Sequence, residues 1–466
     1  MYNMENQFEN FYKNHVVLPS KKQQDLRDKK DINITHLKNG LDEINEENGT
    51  SYTVAETRVQ GSMAMHTVVQ NDGNDYDIDI AIIFDKSNIE NMSPLQTRRL
   101  VCDALKRKCG QLKKEPECKT NCVRVEYSDG YHVDFAVYRR FKKEGESTYS
   151  YEHAGGSSWT SRDPKAITKW FQDEVKIKGK SLRKIIRLSK MFCKSRDGWV
   201  NMPGGLIQSV VCDEVYAEEY ERLDEIFYYT MKNVRDRLSD SKEVYNPTDS
   251  SLSLLSAQNH YDKMDNWLSR LNSKLKDLEV IESEECSYND AIEAWNKFFK
   301  HSYWNEEQTN SKDVCEITYL NRTAFSYKDT EEFIEDHVNA VNDIYNVEIS
   351  CQVEANGFHA QPLYTFMIRF PVFHNLVPKG LSLTFSASTD TPYPYDIWWK
   401  IRNVGPIAER KNDIRGQIEK RCSNRKRENS EFGGPHFVEC YVIKNGECVA
   451  LRRMDVHIGE NKFQAE

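Results

Sequence analysis

The chain has 466 residues, 64 Lys and Arg against 73 Asp and Glu, and a formal net charge of -9. Its length exceeds one compact core, and ~150 residues per domain gives about three units as a starting expectation. A hydrophobic fraction of 38% with 29% charged residues describes a polar globular chain, and its negative balance argues against broad coating of nucleic acid while leaving room for a local basic cleft. No run approaches the ~18 apolar residues that span a bilayer, and MYNMENQFENFYKN contains no signal-peptide core. The expectation is a cytoplasmic protein without membrane insertion. Its 12 cysteines, unevenly spaced, read as reduced thiols. Cys109, Cys118 and Cys122 lack a CxxC spacing and a fourth ligand, so thiols are favoured over zinc there.

Residues 1–50 read as helix, with Phe8, Phe11 and Tyr12 on one face. Ile32, Ile34, Leu37, Leu41 and Ile44 follow at near-helical spacing. Short β-rich runs then appear at 52–59, 76–84, 123–127 and 131–138, the last two joined by the hairpin signal Ser128-Asp129-Gly130. A helical stretch, Pro94 to Cys109, separates them from the earlier runs. From about Pro164 to Trp304 the pattern is helical, with amphipathic runs at 181–195, 205–240 and 254–281, closing on the core plug Ala294 to Phe299. Asn305 to Asp313 reads as a linker. Beyond it lie β-rich runs at 347–353, 363–373, 380–385, 397–404, 436–443 and 447–451, with a basic stretch at 410–427.

The chemistry concentrates in two segments. In Tyr76-Asp77-Ile78-Asp79-Ile80, strand alternation puts both carboxylates on one face, about 7 Å apart, while Ile78, Ile80, Ile82 and Phe84 face a core. Adjacent carboxylates repel and call for a cation, and Mg²⁺ takes carboxylate and phosphate oxygens. Asp134, in a second alternating strand, completes a three-carboxylate set if the two strands pair. Gly61-Ser62 precedes the first strand and permits close backbone approach to a phosphate. In 181–195, Leu182, Ile185, Ile186 and Phe192 form one face and Arg183, Arg187, Lys190 and Lys194 another. That cationic row is either a solvated face or a partner for phosphates.

The ordered set of G-S, D-x-D in an apolar strand and a strand-borne Asp after a helix resembles the DNA polymerase β-type nucleotidyltransferases. Within them the chain resembles the bacterial cyclic GMP–AMP synthase/DncV-like enzymes of anti-phage signalling, over about residues 5–305. Thr67 in GS-x4-T, Trp159 to Pro164 and Tyr245-Asn246-Pro247 extend the likeness. The resemblance implies an α+β fold, a mixed catalytic sheet (about 50–140) with a helical lobe (about 150–305), a linker at 306–320 and a separate β-rich domain at 321–466. It implies Asp77, Asp79 and Asp134 as ligands of Mg²⁺ (Mn²⁺ substituting), and Gly61, Ser62 and Lys190, the last in Arg187-Leu188-Ser189-Lys190, as triphosphate contacts. ATP, GTP or both would be joined into a cyclic or short linear second messenger acting on a downstream effector. Either Asp134 or metal coordination alone would handle the hydroxyl proton. Transfer of nucleotides to RNA or protein, served by Arg410–Arg427, and a catalytically inactive nucleotide-binding module are the rivals.

Trp159, Tyr149 and Tyr151 are equally readable as base-stacking or packing residues. The C-terminal motifs around Trp399 and His436 resemble the sensor domain of some adenylyl/guanylyl cyclases and second-messenger nucleotidyltransferases, with an unknown ligand. There Trp399, Asn403, Arg415, Gly434 and His436 line either a ligand pocket or ordinary β packing. His436 and Glu439 fall on opposite sides of their strand.

Overall fold

A computed structural model describes residues 1–70, 75–307, 330–355, 359–370 and 376–463. The chain divides into two compact units, Met1–Asn321 and Arg322–Glu466.

The N-terminal helical reading splits at Pro19, which opens the second helix. α1 (Glu5–Phe11) runs into a π-helical turn (Tyr12–Val16), and α2 (Ser20–Asn48) follows. Their destinations differ. Phe8 of α1 packs among Phe227, Trp295, Phe299 and Trp304, with ring centroids 4.5–6.0 Å apart. α2 instead buries Leu26, Leu37, Leu41 and Ile44 against the sheet, whereas Ile32, expected on that face, is exposed. The N-terminal segment thus belongs to both lobes of its unit.

After α2 come β1 (Glu56–Gln60), α3 (Gly61–Ala64), β2 (Tyr76–Asp85), α4 (Pro94–Lys108), β3 (Glu117–Cys118), β4 (Val123–Glu126), β5 (Tyr131–Phe141), β6 (Ser150–His153) and β7 (Thr160–Ser161). The seven strands form one mixed sheet in the order β1-β2-β5-β4-β3, with β6 and β7 extending from β5. Only β2 and β5 run parallel; the other pairs are antiparallel. Ile78, Ile80, Ile82 and Phe84 of β2, with Val133, Phe135 and Val137 of β5, are fully buried beneath α2 and α4. Ser93 caps α4 in a reciprocal capping box with Gln96.

The helical lobe comprises α5 (Ala166–Lys178), α6 (Ser181–Lys194), α7 (Gly205–Glu214), α8 (Leu223–Asp240), the hairpin β8 (Tyr245–Asn246) and β9 (Asp249–Ser253), α9 (Gln258–Asp277), α10 (Tyr288–Phe299) and α11 (302–307). The run expected at 205–240 is therefore two helices. Part of the expected linker, 305–307, continues helix, and 308–320 lies outside the described residues.

The second unit packs two sheets. One joins β10 (Val347–Glu354), β11 (Gln361–Pro362), β13 (Ser382–Thr389) and β16 (Arg425–Asn429). The other joins β12 (Val377–Lys379), β14 (Asp396–Arg402), β15 (Arg415–Cys422), β17 (Gly434–Lys444) and β18 (Glu447–Lys462). Leu363–Arg369, expected as strand, is helix α12, and Pro406–Arg410 forms α13. The error was one of period. Leu363, Phe366, Met367 and Phe370 recur at helical spacing and face the core, while Tyr364 and Ile368 are exposed.

α2 and α4 touch at Gly40, where a Cβ would lie 2.0 Å from the Ala104 carbonyl oxygen. Gly40→Ala is expected to lose about 1–3 kcal/mol by overpacking, outweighing a helix-propensity gain of at most ~1 kcal/mol. Urea unfolding of the full chain checks this, and an unchanged or raised midpoint contradicts the close approach.

Candidate nucleotidyl-transfer site

Strand pairing decides which carboxylates meet. In the parallel β2–β5 ladder Asp79 stands directly opposite Asp134, and Asp77 opposite His132. Because residues alternate faces, Asp77, Asp79 and Asp134 leave the sheet on the side away from α2 and α4. All three line one cleft of about 890 Å³. Asp134 is buried, Asp79 half-buried and Asp77 exposed, so the set grades from sheet to solvent.

Gly61, with φ +63°, turns the chain from β1 into α3 beside them. A Cβ there would fall 2.0 Å from Asp79 Oδ2. The position is therefore closed to larger residues by both backbone and space. Ser62 lines the same cleft, and its carbonyl accepts the Thr67 amide at 2.8 Å. From the helical lobe, Lys190 reaches the opposite wall, where its Nζ donates to Thr67 Oγ1 (2.8 Å) and to the Thr67 carbonyl (3.1 Å). All six residues singled out in the sequence line this cleft.

The site's electrostatics are unbalanced. Burial, and then the charges of Asp77 and Asp134, raise the Asp79 carboxyl from its usual 3.8 to about 7, against opposition from Arg124 and Arg162. Burial, with Arg187 and Lys194 nearby, lowers the Lys190 ammonium to about 7. One wall thus carries surplus negative charge and the other a cation held back by desolvation. As the chain stands, Arg124 occupies both Asp134 oxygens, and no group of three or more acidic, His or Cys side chains among the described residues is arranged to hold a metal ion.

Sequence reasoning missed Arg124. Its guanidinium grips Asp134 at both oxygens, Nε to Oδ1 at 2.7 Å and Nη2 to Oδ2 at 2.5 Å, from the facing position on β4. Counting outward from the turn at 128–130 places Arg124 opposite Asp134, so the signal was present in the hairpin register.

The cationic row on α6 divides. Arg187 donates to the Tyr12 hydroxyl at 2.5 Å and Arg183 to the Met65 carbonyl at 3.4 Å, both buried. Only Lys190 and Lys194 of the row line the cleft. α6 is buried nearly all round, so its arginines serve packing, not phosphates. The aromatic candidates shift as well. Trp159, under Arg139 and bonded to the Met92 carbonyl, Tyr149 and buried Tyr151 are absent from the lining, which takes Tyr76, Tyr138 and Trp199 instead. All eleven cysteines among the described residues are free thiols. Nor is any helix among the described residues long and apolar enough to cross a membrane.

In the second unit, Trp399 is core, its Nε1 donating to the Ser423 carbonyl, and Gly434 also stays out of the cavity lining. Asn403, Arg415 and His436 do line a cavity. Glu439 lies elsewhere, buried with Lys400 at 2.5 Å and the Tyr441 hydroxyl at 2.7 Å.

Comparison with known proteins converges on the same two regions. Residues 55–138 match the family model described as the cyclic GMP-AMP synthase DncV-like nucleotidyltransferase domain. Residues 328–459 match the adenylyl/guanylyl and SMODS C-terminal sensor domain. A cyclic GMP-AMP synthase from Escherichia albertii is 24% identical over 418 residues, covering 85% of this chain and 83% of the relative. Among solved structures, Vibrio cholerae DncV cyclic AMP-GMP synthase with the linear intermediate 5′ pppA(3′,5′)pG superposes with a TM-score of 0.54 at 17% identity, covering 66% of this chain and 99% of that one. Escherichia coli DncV in its 3′-deoxy GTP bound form gives a TM-score of 0.53 at 17% identity, with 65% and 98% covered.

The raised Asp79 carboxyl has a signed consequence. Between about pH 4 and pH 7 the folded chain keeps a proton that the unfolded chain has released, so this group's stabilising contribution is complete at low pH and lost as pH rises through about 7. With divalent cations chelated, the native chain is expected to lose more stability from about pH 5 to about pH 8 than Asp79→Asn does. Parallel stability curves for the two proteins contradict the assignment.

Proposed function

Because the chain joins a DncV-like nucleotidyltransferase domain to an adenylyl/guanylyl and SMODS C-terminal sensor domain, we propose that it links two NTPs, with loss of pyrophosphate, into a cyclic or short linear oligonucleotide messenger. The supporting observation is the convergence of Asp77, Asp79 and Asp134 on one wall of a cleft whose opposite wall carries Lys190 and Lys194. ATP and GTP are the expected substrates, Mg²⁺ the expected cation, and bacterial anti-phage defence in the cytoplasm the expected setting.

The three aspartates would hold the cation, which supplies charge neutralisation at the α-phosphate and acidifies the attacking ribose hydroxyl. Gly61 leaves room for the Asp79 carboxylate beside the phosphate-facing turn, and Ser62 offers its hydroxyl there. Lys190, positioned by Thr67, gains a counter-ion when a triphosphate arrives, which restores its full charge. Asp134 would serve as a ligand, and either it or metal coordination alone would handle the hydroxyl proton. It is free for either task only after Arg124 releases it, so cation binding and the Arg124–Asp134 pair exclude one another.

For the rival reading, transfer to RNA along Arg410–Arg427, three of the basic residues of that run are engaged within the unit. Arg415 and Lys426 are bonded to Glu419 and Glu428, and Arg427 to Glu354.

Incubation with labelled NTPs and Mg²⁺ is expected to yield pyrophosphate and phosphatase-resistant products a few nucleotides long, independent of added RNA. Asp77→Asn with Asp79→Asn should abolish pyrophosphate release with unchanged circular dichroism. Lys190→Ala should raise the KM for NTP about tenfold or more. Undiminished turnover in the double variant, or products that grow only on RNA, refutes the reading.

A further inference from the structure

The second unit contains a cavity that nucleotidyl transfer does not use. It measures about 350 Å³ and opens between the two sheets, within the size range of small-molecule sites. Leu383 and Phe385 of β13 form one wall, and Ile401 of β14 and Val438 of β17 face them, all members of the buried core of that unit. Phe432 adds an aromatic side. The cavity thus pairs an apolar floor with a polar mouth, the arrangement by which small-molecule sites orient a ligand.

The polar groups at the mouth decide what that occupant is. Arg415 enters β15 with φ +60°, a left-handed conformation costly for a side chain of this size. Its guanidinium is fully engaged, with Glu428 at 2.7 and 3.1 Å and Glu419 at 3.4 Å. Arg427 is likewise taken, by Ser382 Oγ at 2.7 Å and Glu354 at 3.1 Å. His436 is satisfied as a neutral ring, its Nδ1 accepting the Val404 amide and its Nε2 donating to the Phe432 carbonyl. Burial also lowers its pKa. The carboxylates of Asp413 and Glu431, by contrast, line the cavity without a hydrogen bond or ion pair among the described residues. Lys411 sits over the Phe432 ring at 4.9 Å but is not part of the lining. Arg415 and Arg427 are thus each bonded to carboxylates, whereas Asp413 acts on Arg415 and His436 only through space and the Glu431 carboxylate has no bonded partner among the described residues.

We propose that this cavity binds a flat, apolar-bodied small molecule carrying a cationic or hydrogen-bond-donating group, and that it rejects phosphorylated and carboxylated ligands. The body lies between Leu383, Phe385, Ile401 and Val438, and the donor group meets Asp413 and Glu431. An anion entering the same space would face those two carboxylates and would have to expel Glu428 from Arg415.

Benzamidine and benzoate share a shape and carry opposite charges, so they separate the two cases, with ATP as the phosphorylated arm. In the full-length chain, labelled at Ile, Leu and Val methyls, benzamidine is expected to shift Leu383, Ile401 and Val438 saturably. Benzoate and ATP should leave those methyls in place. Asp413→Asn is expected to weaken benzamidine about tenfold while the remaining methyl spectrum is retained. Glu431→Gln, at an exposed position, provides the same readout should Asp413→Asn disturb folding. Stronger shifts at these methyls from benzoate or ATP, or none from any of the three at saturating solubility, overturns the proposal.

Discussion

The site hangs on one pairing, the parallel ladder between β2 and β5. Its register sets Asp79 against Asp134, and alternation adds Asp77 on the same face. The opposite face is fixed by burial of Ile78, Ile80, Ile82, Val133, Phe135 and Val137. Slipping either strand by one residue would expose that core and bury the carboxylates, so core packing and carboxylate convergence are one constraint. The fold bears its cost as electrostatic strain at Asp79, relieved in part by Arg124 on Asp134. A protein built only for stability would place apolar residues there. A raised carboxyl among like charges in a cleft marks a functional site.

α6 carries the consequences of that constraint across the unit. Eleven of its fourteen residues are buried, so each polar side chain on it needs a partner. Ser189 bonds Gln208, Arg187 bonds Tyr12, Lys184 bonds Glu9 and Lys190 bonds Thr67. Through these contacts one helix joins the N-terminal segment, α7 and the segment following α3. That accounts for an N-terminus whose first helix packs in the helical lobe while its second packs on the sheet. The wall of the cleft that faces the aspartates is held by the same bonds that anchor the chain's beginning.

Where residues act through strand alternation or a tight turn, the sequence was legible. The D-x-D strand, the 128–130 hairpin and the buried plug Trp295, Phe298 and Phe299 are local patterns with local causes. Failures arose where a residue's partner lies far along the chain. Arg183 and Arg187 share a helix face with Lys190, but the Met65 carbonyl after α3 claims the first and Tyr12 of the N-terminal segment the second. Trp199 enters the cleft from the loop after α6, stacked with Arg196 at 4.2 Å, a position no periodicity marks. Leu363–Arg369 failed for a different reason, since a short apolar run satisfies strand and helix templates until its exposed residues are known.

The two units treat charge in opposite ways, and this decides what each can bind. In the first, like charges converge across neighbouring strands, and the chain answers them only in part, with Arg124 on Asp134. In the second, the basic run at 410–427 looks uniformly cationic in sequence, yet within it Arg415 and Lys426 are paired with Glu419 and Glu428 across β15 and β16. Linear charge density therefore misreports both regions: it hides the acidic cluster, whose members are separated by 57 positions from Asp77 to Asp134, and exaggerates the basic one. What survives pairing is the quantity a ligand meets. At the first site what survives is a carboxylate set in the same cleft as a lysine whose ammonium burial pulls down to about 7. In the second unit it is the Asp413 and Glu431 carboxylates, neither in an ion pair among the described residues, over an apolar floor of Leu383, Phe385, Ile401 and Val438.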